Sequence, residues 1–240
     1  MRKILFILFV VLPFSLQGRI FAVFVGISEY EQSVNNLTYC HRDAMAMYEL
    51  MKEYATPECM ILLTDKQAKH DDIVYHTKQL FQQAQSEDIV IFFFSGHGYF
   101  NLFCAYDKNL HFSTLQKIFQ ECKAQRKLIF ADACYSGTMR QEGGQSASNQ
   151  SSAENNVLLF LSSRSDQTSR ENALLRNGIF TYFLLAGLRG GADTNKDGYI
   201  TARELFDFVN PRVKQRSNAT QVPVMWGRFD ENMTILKLTK

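Results

Sequence analysis

Several signals that would narrow a function are missing here. Lys and Arg total 26 against 24 Asp and Glu, a formal net charge of +2 over 240 residues. So small an excess does not argue for a nucleic-acid or anionic-membrane surface, and neither is expected as a partner. Cys40, Cys59, Cys104, Cys122 and Cys134 include no closely spaced pair, which removes the common zinc and dithiol motifs. No internal repeat is visible. The most apolar run, "ILFILFVVLPFSL", is interrupted at Pro13 and falls short of the roughly 20 residues a membrane-crossing helix needs. What remains is a globular balance, 46% hydrophobic and 21% charged, in a length that suits one α/β domain with a sizeable core.

The same apolar run follows "MRK", and a short charged segment before a short apolar one reads as a signal peptide over residues 1–18. Cleavage after Gly18 puts Leu16 where a small residue is preferred. Cleavage after Gln17 puts Ser15 there but leaves a bulky residue at the cut, so both sites stay open. The mature chain is expected to be exported, periplasmic or secreted, with no membrane in its mature form. Export makes disulfides admissible, and five cysteines leave at least one thiol free.

Beyond the leader the patterns alternate. "RIFAVFVGIS", "CMILLTD" and "IVIFFF" read as strands, with "CHRDAMAMYELMKEYA" and "HDDIVYHTKQLFQQAQ" as the helices between them. A helix in "FSTLQKIFQECKAQ" and a strand in "KLIFADACYSG" continue the series. This predicts an α/β fold, a mainly parallel six-stranded sheet with helices on both faces. "TMRQEGGQSASNQSSAENN" lacks apolar periodicity and reads as a surface loop. It divides residues 19–240 into a first part, 19–137, a linker, 138–156, and a second part, 157–240. The second part holds the strand "VLLFLSS", the helices "GIFTYFLLAGLRG" and "TARELFDFVNPRVKQR", and two expected edge strands, "VPVMWG" and "MTILKL".

The chemistry concentrates where two buried strands stop. "IVIFFF" runs into Ser95-Gly96-His97-Gly98, and "KLIFA" into Asp132-Ala133-Cys134-Tyr135-Ser136-Gly137. Strands joined by one right-handed crossover are parallel and end at a common edge, where open α/β sheets bind ligands. His97 and Cys134 are therefore expected to meet. A thiol whose proton a neighbouring imidazole can take is the minimum apparatus for acyl transfer, and the amides of Gly98 and Cys134 can form the oxyanion hole. The structural alternative is that a histidine between glycines merely makes a turn. His41, His70, His76 and His111 lack a partner motif and read as ordinary surface or helix residues.

"SGHG" and "DACYSG" in that order, followed by the polar linker, "SSRSDQTSREN" and "GIFTYFLLAGL", resemble the caspase and metacaspase family of cysteine peptidases, in its bacterial branch. The resemblance implies His97 as general acid/base and Cys134 as nucleophile. It also implies an acidic pocket of Asp43, Cys40, Ser95 and Asp132 that selects Arg or Lys before the scissile bond, and self-cleavage within the linker at Arg140. Tyr135 stands where metacaspases usually carry His, a change beside the nucleophile that leaves His97 in place. On this reading the partner is a peptide or protein substrate, the chain is a monomer and not an obligate dimer, and the chemistry requires no cofactor. Two other classes remain open: a catalytically silent binding module and a calcium-binding adaptor.

The adaptor reading rests on "DTNKDGYITARE", which places Asp193, Asn195, Asp197, Tyr199 (through its carbonyl), Thr201 and Glu204 at the positions of a twelve-residue calcium loop. Its rival uses the same residues. Asp-Gly makes a turn, and Thr201 with Glu204 forms a capping box for the next helix.

Overall fold

The computed structural model describes residues 18–31, 36–99, 101–133, 157–162, 176–227 and 229–239. Its centre is a six-stranded sheet in the order β10-β8-β7-β3-β1-β2, formed by β1 (Ile20–Gly26), β2 (Met60–Thr64), β3 (Ile89–Gly96), β7 (Arg126–Ala133), β8 (Val157–Leu161) and β10 (Val224–Trp226). The first five pair in parallel and β10 closes one edge antiparallel to β8.

Side chains alternate across the sheet and so build two cores. Val90, Phe92 and Phe94 of β3 pack on the side of α2 (His70–Phe81) and α3 (Phe112–Glu121), together with Ile73, Phe81, Leu115 and Phe119. Ile89, Ile91 and Phe93 pack on the side of α1 (Cys40–Met51), α4 (Ile179–Ala186) and α5 (Ala202–Arg216), with Met47, Phe180, Leu184, Leu205 and Val209. Burial on both faces is why β1, β3, β7 and β8 read as unbroken apolar runs. The expected layering, helices on both sides of a mainly parallel sheet, is the layering observed.

Two smaller sheets escaped the sequence. β4 (Gly98–Tyr99), β5 (Leu102–Cys104) and β6 (Asn109–His111) form an antiparallel unit directly after the end of β3. β9 (Tyr199–Thr201) pairs with β11 (Thr234–Lys237), so "MTILKL" is not an edge of the main sheet as expected but half of a separate ribbon. The α4 pattern ends in a π-helical turn, Gly187–Gly191, and no described helix is long and apolar enough to cross a membrane.

Candidate active site

β3 and β7 lie side by side, parallel, with Ser95 opposite Asp132 and Gly96 opposite Ala133. The two strands thus end level, and His97 and Cys134 are the residues that follow those last paired positions in the chain. Cys134 and Arg140 lie outside the described residues, as do the whole linker and all of the leader but Gly18. His97 is half-buried. Its amide N–H donates to Tyr30 Oη at 2.7 Å, and its carbonyl accepts from the Cys104 amide at 2.9 Å. Gly98 is buried and opens the small antiparallel unit, pairing with Phe103. Phe103 is 1% exposed and its ring centroid lies 4.4 Å from that of Phe94, so a core contact holds the segment that carries His97 and Gly98.

Three of the four expected pocket residues lie together, Ser95 opposite Asp132 in the sheet and Asp43 beside them on α1. Ser95 Oγ donates to Asp43 Oδ2 at 2.8 Å, and Asp43 faces Asp132 closely enough for their charges to interact. Cys40, the fourth, opens α1 one turn before Asp43 and is buried on the same helix face. The carboxylates are 1% and 0% exposed. A buried carboxylate needs donors, and the second part of the chain supplies them. Asp43 Oδ1 accepts from Asn177 Nδ2 at 2.9 Å and from the Gly178 amide at 3.0 Å. Asp132 Oδ1 accepts from Ser162 Oγ at 2.8 Å, while Oδ2 accepts from Thr181 Oγ1 at 3.0 Å and the Thr181 amide at 3.3 Å.

Thr181 lies in the first turn of α4, so Asp132 caps that helix from another element and meets the positive end of its dipole. Gly178 passes between the carboxylates where a Cβ would collide with Asp132 Oδ2 and stand 3.1 Å from Asp43 Oδ2. Burial, and after it the charge of Asp132, pushes the Asp43 carboxyl up to about 7.

A caspase domain model matches residues 19–233. The chain belongs to the caspase domain family. Among solved structures, protein GSU0716 from Geobacter sulfurreducens superposes with a TM-score of 0.69 at 16% identity, covering 92% of this chain and 100% of the other. Caspase-1 from Spodoptera frugiperda superposes with a TM-score of 0.66 at 18% identity, covering 92% and 91%. These likenesses are of fold. No match was found among curated protein sequences. The caspase domain carries a cysteine-peptidase-like hydrolase function in general, directed at peptide or protein substrates.

Within this caspase domain the remaining candidates fall elsewhere. Cys59, Cys104 and Cys122 are free thiols, and burial raises Cys104 to about 11 and Cys122 above its ordinary value. Neither of these two has the lowered pKa of a nucleophilic cysteine. In the 193–204 loop the Asp193 carboxylate accepts the Asp197 and Gly198 amides. Asn195 Oδ1 also accepts the Asp197 amide, and Asp197 Oδ1 accepts the Tyr199 amide. Glu204 Oε2 accepts from the Thr201 amide and hydroxyl, completing the capping box of α5. Among the described residues no group of three or more His, Cys, Asp or Glu is gathered where it could hold a metal ion.

Sequence reasoning missed Ser162, Asn177, Gly178 and Thr181, and it missed Tyr30. A serine just past the buried strand "VLLFL" and an Asn-Gly just before a helix were the available signals, weak ones without the coordinates.

Proposed function

We propose that this caspase domain is an exported cysteine endopeptidase that hydrolyses peptide bonds after Arg or Lys. The observation that carries the reading is the buried pair of Asp132, near the end of β7, and Asp43, on α1, beside the end of β3 that leads into His97. A pocket floored by two carboxylates selects a guanidinium or ammonium over an acidic or apolar side chain.

The chemistry follows from the residues at the rim. His97 takes the Cys134 thiol proton, and the thiolate attacks the carbonyl carbon of the basic residue. The amides of Gly98 and Cys134 donate to the resulting oxyanion. His97 then gives its proton to the leaving amine as the C–N bond breaks, leaving a thioester on Cys134. Water, deprotonated by His97, attacks that thioester, releases the carboxylate product and restores the thiol. The same specificity makes Arg140, in the linker, the site of self-cleavage. A fragment that appears in the wild type and is absent from both Cys134→Ala and Arg140→Ala supports this; a fragment persisting in either variant rejects it.

Reporter peptides ending in Arg, Lys and Asp, offered to the mature protein and to Asp132→Asn, test the specificity. Hydrolysis after Arg and Lys that Asp132→Asn loses is expected. Preference for Asp would reject the assignment.

A further inference from the structure

We propose that Tyr30 is a positioning residue for His97, fixing the imidazole from its backbone side and from one ring face. The inference rests on the reading of His97 as general acid/base. The ladder between β3 and β7 ends at Gly96, so His97 stands beyond the last residue that the main sheet orients. Its peptide groups are held by other means. Tyr30 Oη accepts the His97 amide at 2.7 Å, and the Cys104 amide donates to the His97 carbonyl at 2.9 Å. Both peptide groups that flank the residue are thus tied. The Tyr30 ring also packs beside its side chain, the centroid 5.1 Å from the imidazole centroid at an interplanar angle of 35°.

The turn that delivers Tyr30 is itself anchored. The Ser28 and Glu29 amides donate to Asp65 Oδ1 at 2.7 and 3.0 Å, the Tyr30 amide to Asn36 Oδ1 at 3.2 Å, and the Glu31 amide to the Tyr106 carbonyl at 3.1 Å. A hydroxyl placed by so many contacts is a fixed acceptor. Burial raises its pKa, so the phenol stays neutral over the working range. Gly96 belongs to the same device: a Cβ there would come 2.9 Å from Tyr30 Oη and 2.9 Å from the Phe94 ring. A glycine at the end of β3 therefore gives the hydroxyl room to reach the next amide along.

Three variants separate the contribution of the hydroxyl from that of the ring. Tyr30→Phe removes the acceptor and keeps the ring. Gly96→Ala keeps the phenol and displaces its hydroxyl. Tyr30→Leu removes both.

With a fluorogenic Arg peptide, Tyr30→Phe and Gly96→Ala are each expected to lower kcat about tenfold or more with KM within about twofold, as loss of geometry and not of binding requires. Tyr30→Leu, which removes the ring as well as the hydroxyl, should lower kcat further than Tyr30→Phe. In parallel, amide hydrogen exchange on the same proteins should quicken at His97 by about tenfold in Tyr30→Phe, with Phe92 unchanged as the control for folding. Retention of kcat in Tyr30→Phe together with equal His97 exchange overturns the proposal. If the wild type cleaves no reporter, the peptidase reading fails by itself, and the exchange rate at His97 still decides whether Tyr30 holds it.

Discussion

Asp43 and Asp132 carry the electrostatic cost of the site, and their environments explain how they remain buried. All four carboxylate oxygens accept hydrogen bonds, from Ser95, Ser162, Asn177, Gly178 and Thr181. Asp43 nevertheless rises to about 7, chiefly from burial and then from its neighbour's charge. An acid held above its unfolded value keeps its proton in the native state after the unfolded chain has lost it. Stability therefore falls as pH rises from the ordinary value of 3.8 towards about 7. Urea midpoints measured across that range should decline in the wild type and flatten in Asp43→Asn. The functional counterpart has the opposite slope. A basic substrate side chain needs the ionised carboxylate, so kcat/KM for an Arg peptide should climb through the same window. Asp132→Ala leaves the Ser162 and Thr181 donors without their acceptor and should cost about 1–3 kcal/mol by denaturant titration.

Elements, not single residues, deliver these groups to one rim. β3 brings Ser95 and leads into His97, β7 brings Asp132, and α1 presents Asp43 from the helix layer. The turn into α4 lowers Asn177 and Gly178 onto the carboxylates. The least regular contributor is the β4-β5-β6 unit, which hangs on Phe103 against Phe94. Phe103→Ala should lose about 3–5 kcal/mol in unfolding measurements and reduce turnover more than substrate affinity, because the segment it anchors carries His97 and Gly98. At the other end of the chain, the capping box of α5 predicts that Thr201→Ala costs about 1 kcal/mol, readable in the same titration. These elements also mark the limits of the sequence. "IVIFFFSG" and "KLIFADA" were legible because strands buried on both faces need no alternation. Strands two or three residues long, such as β4, β5 and β9, have no periodicity to read. β11 was recognised as a strand but not given its partner, since pairing β9 with β11 depends on tertiary contact.

Across the whole molecule the parallel sheet acts as the ruler. Level ends of β3 and β7 follow from register, and a one-residue slip would turn Phe92 and Phe94 towards the opposite core. Register is thus strongly specified by packing, and the site inherits its precision. Slowest amide exchange is expected in β1, β3 and β7, which are flanked on both sides, with faster exchange in the edge strands β2 and β10. Of the site, the adjacency of the strands before His97 and Cys134 was legible in their unbroken apolar runs, and the pairing of Asp43 with Asp132 was expected only from the resemblance to caspases and metacaspases. The site's second half was not legible. The donors from Ser162, Asn177, Gly178 and Thr181 lie 30 or more residues from the carboxylates they satisfy, and no local pattern announces such a contact.

On the proposed reading, an imidazole and a thiol from neighbouring strand ends act together on peptide bonds after basic residues. The most direct measurement of this is the hydrolysis of Arg, Lys and Asp reporter peptides by the mature protein beside His97→Ala and Cys134→Ala. Cleavage after Arg and Lys by the wild type is expected to disappear in both variants. Cleavage after Asp alone, or turnover that survives replacement of Cys134, would contradict that reading.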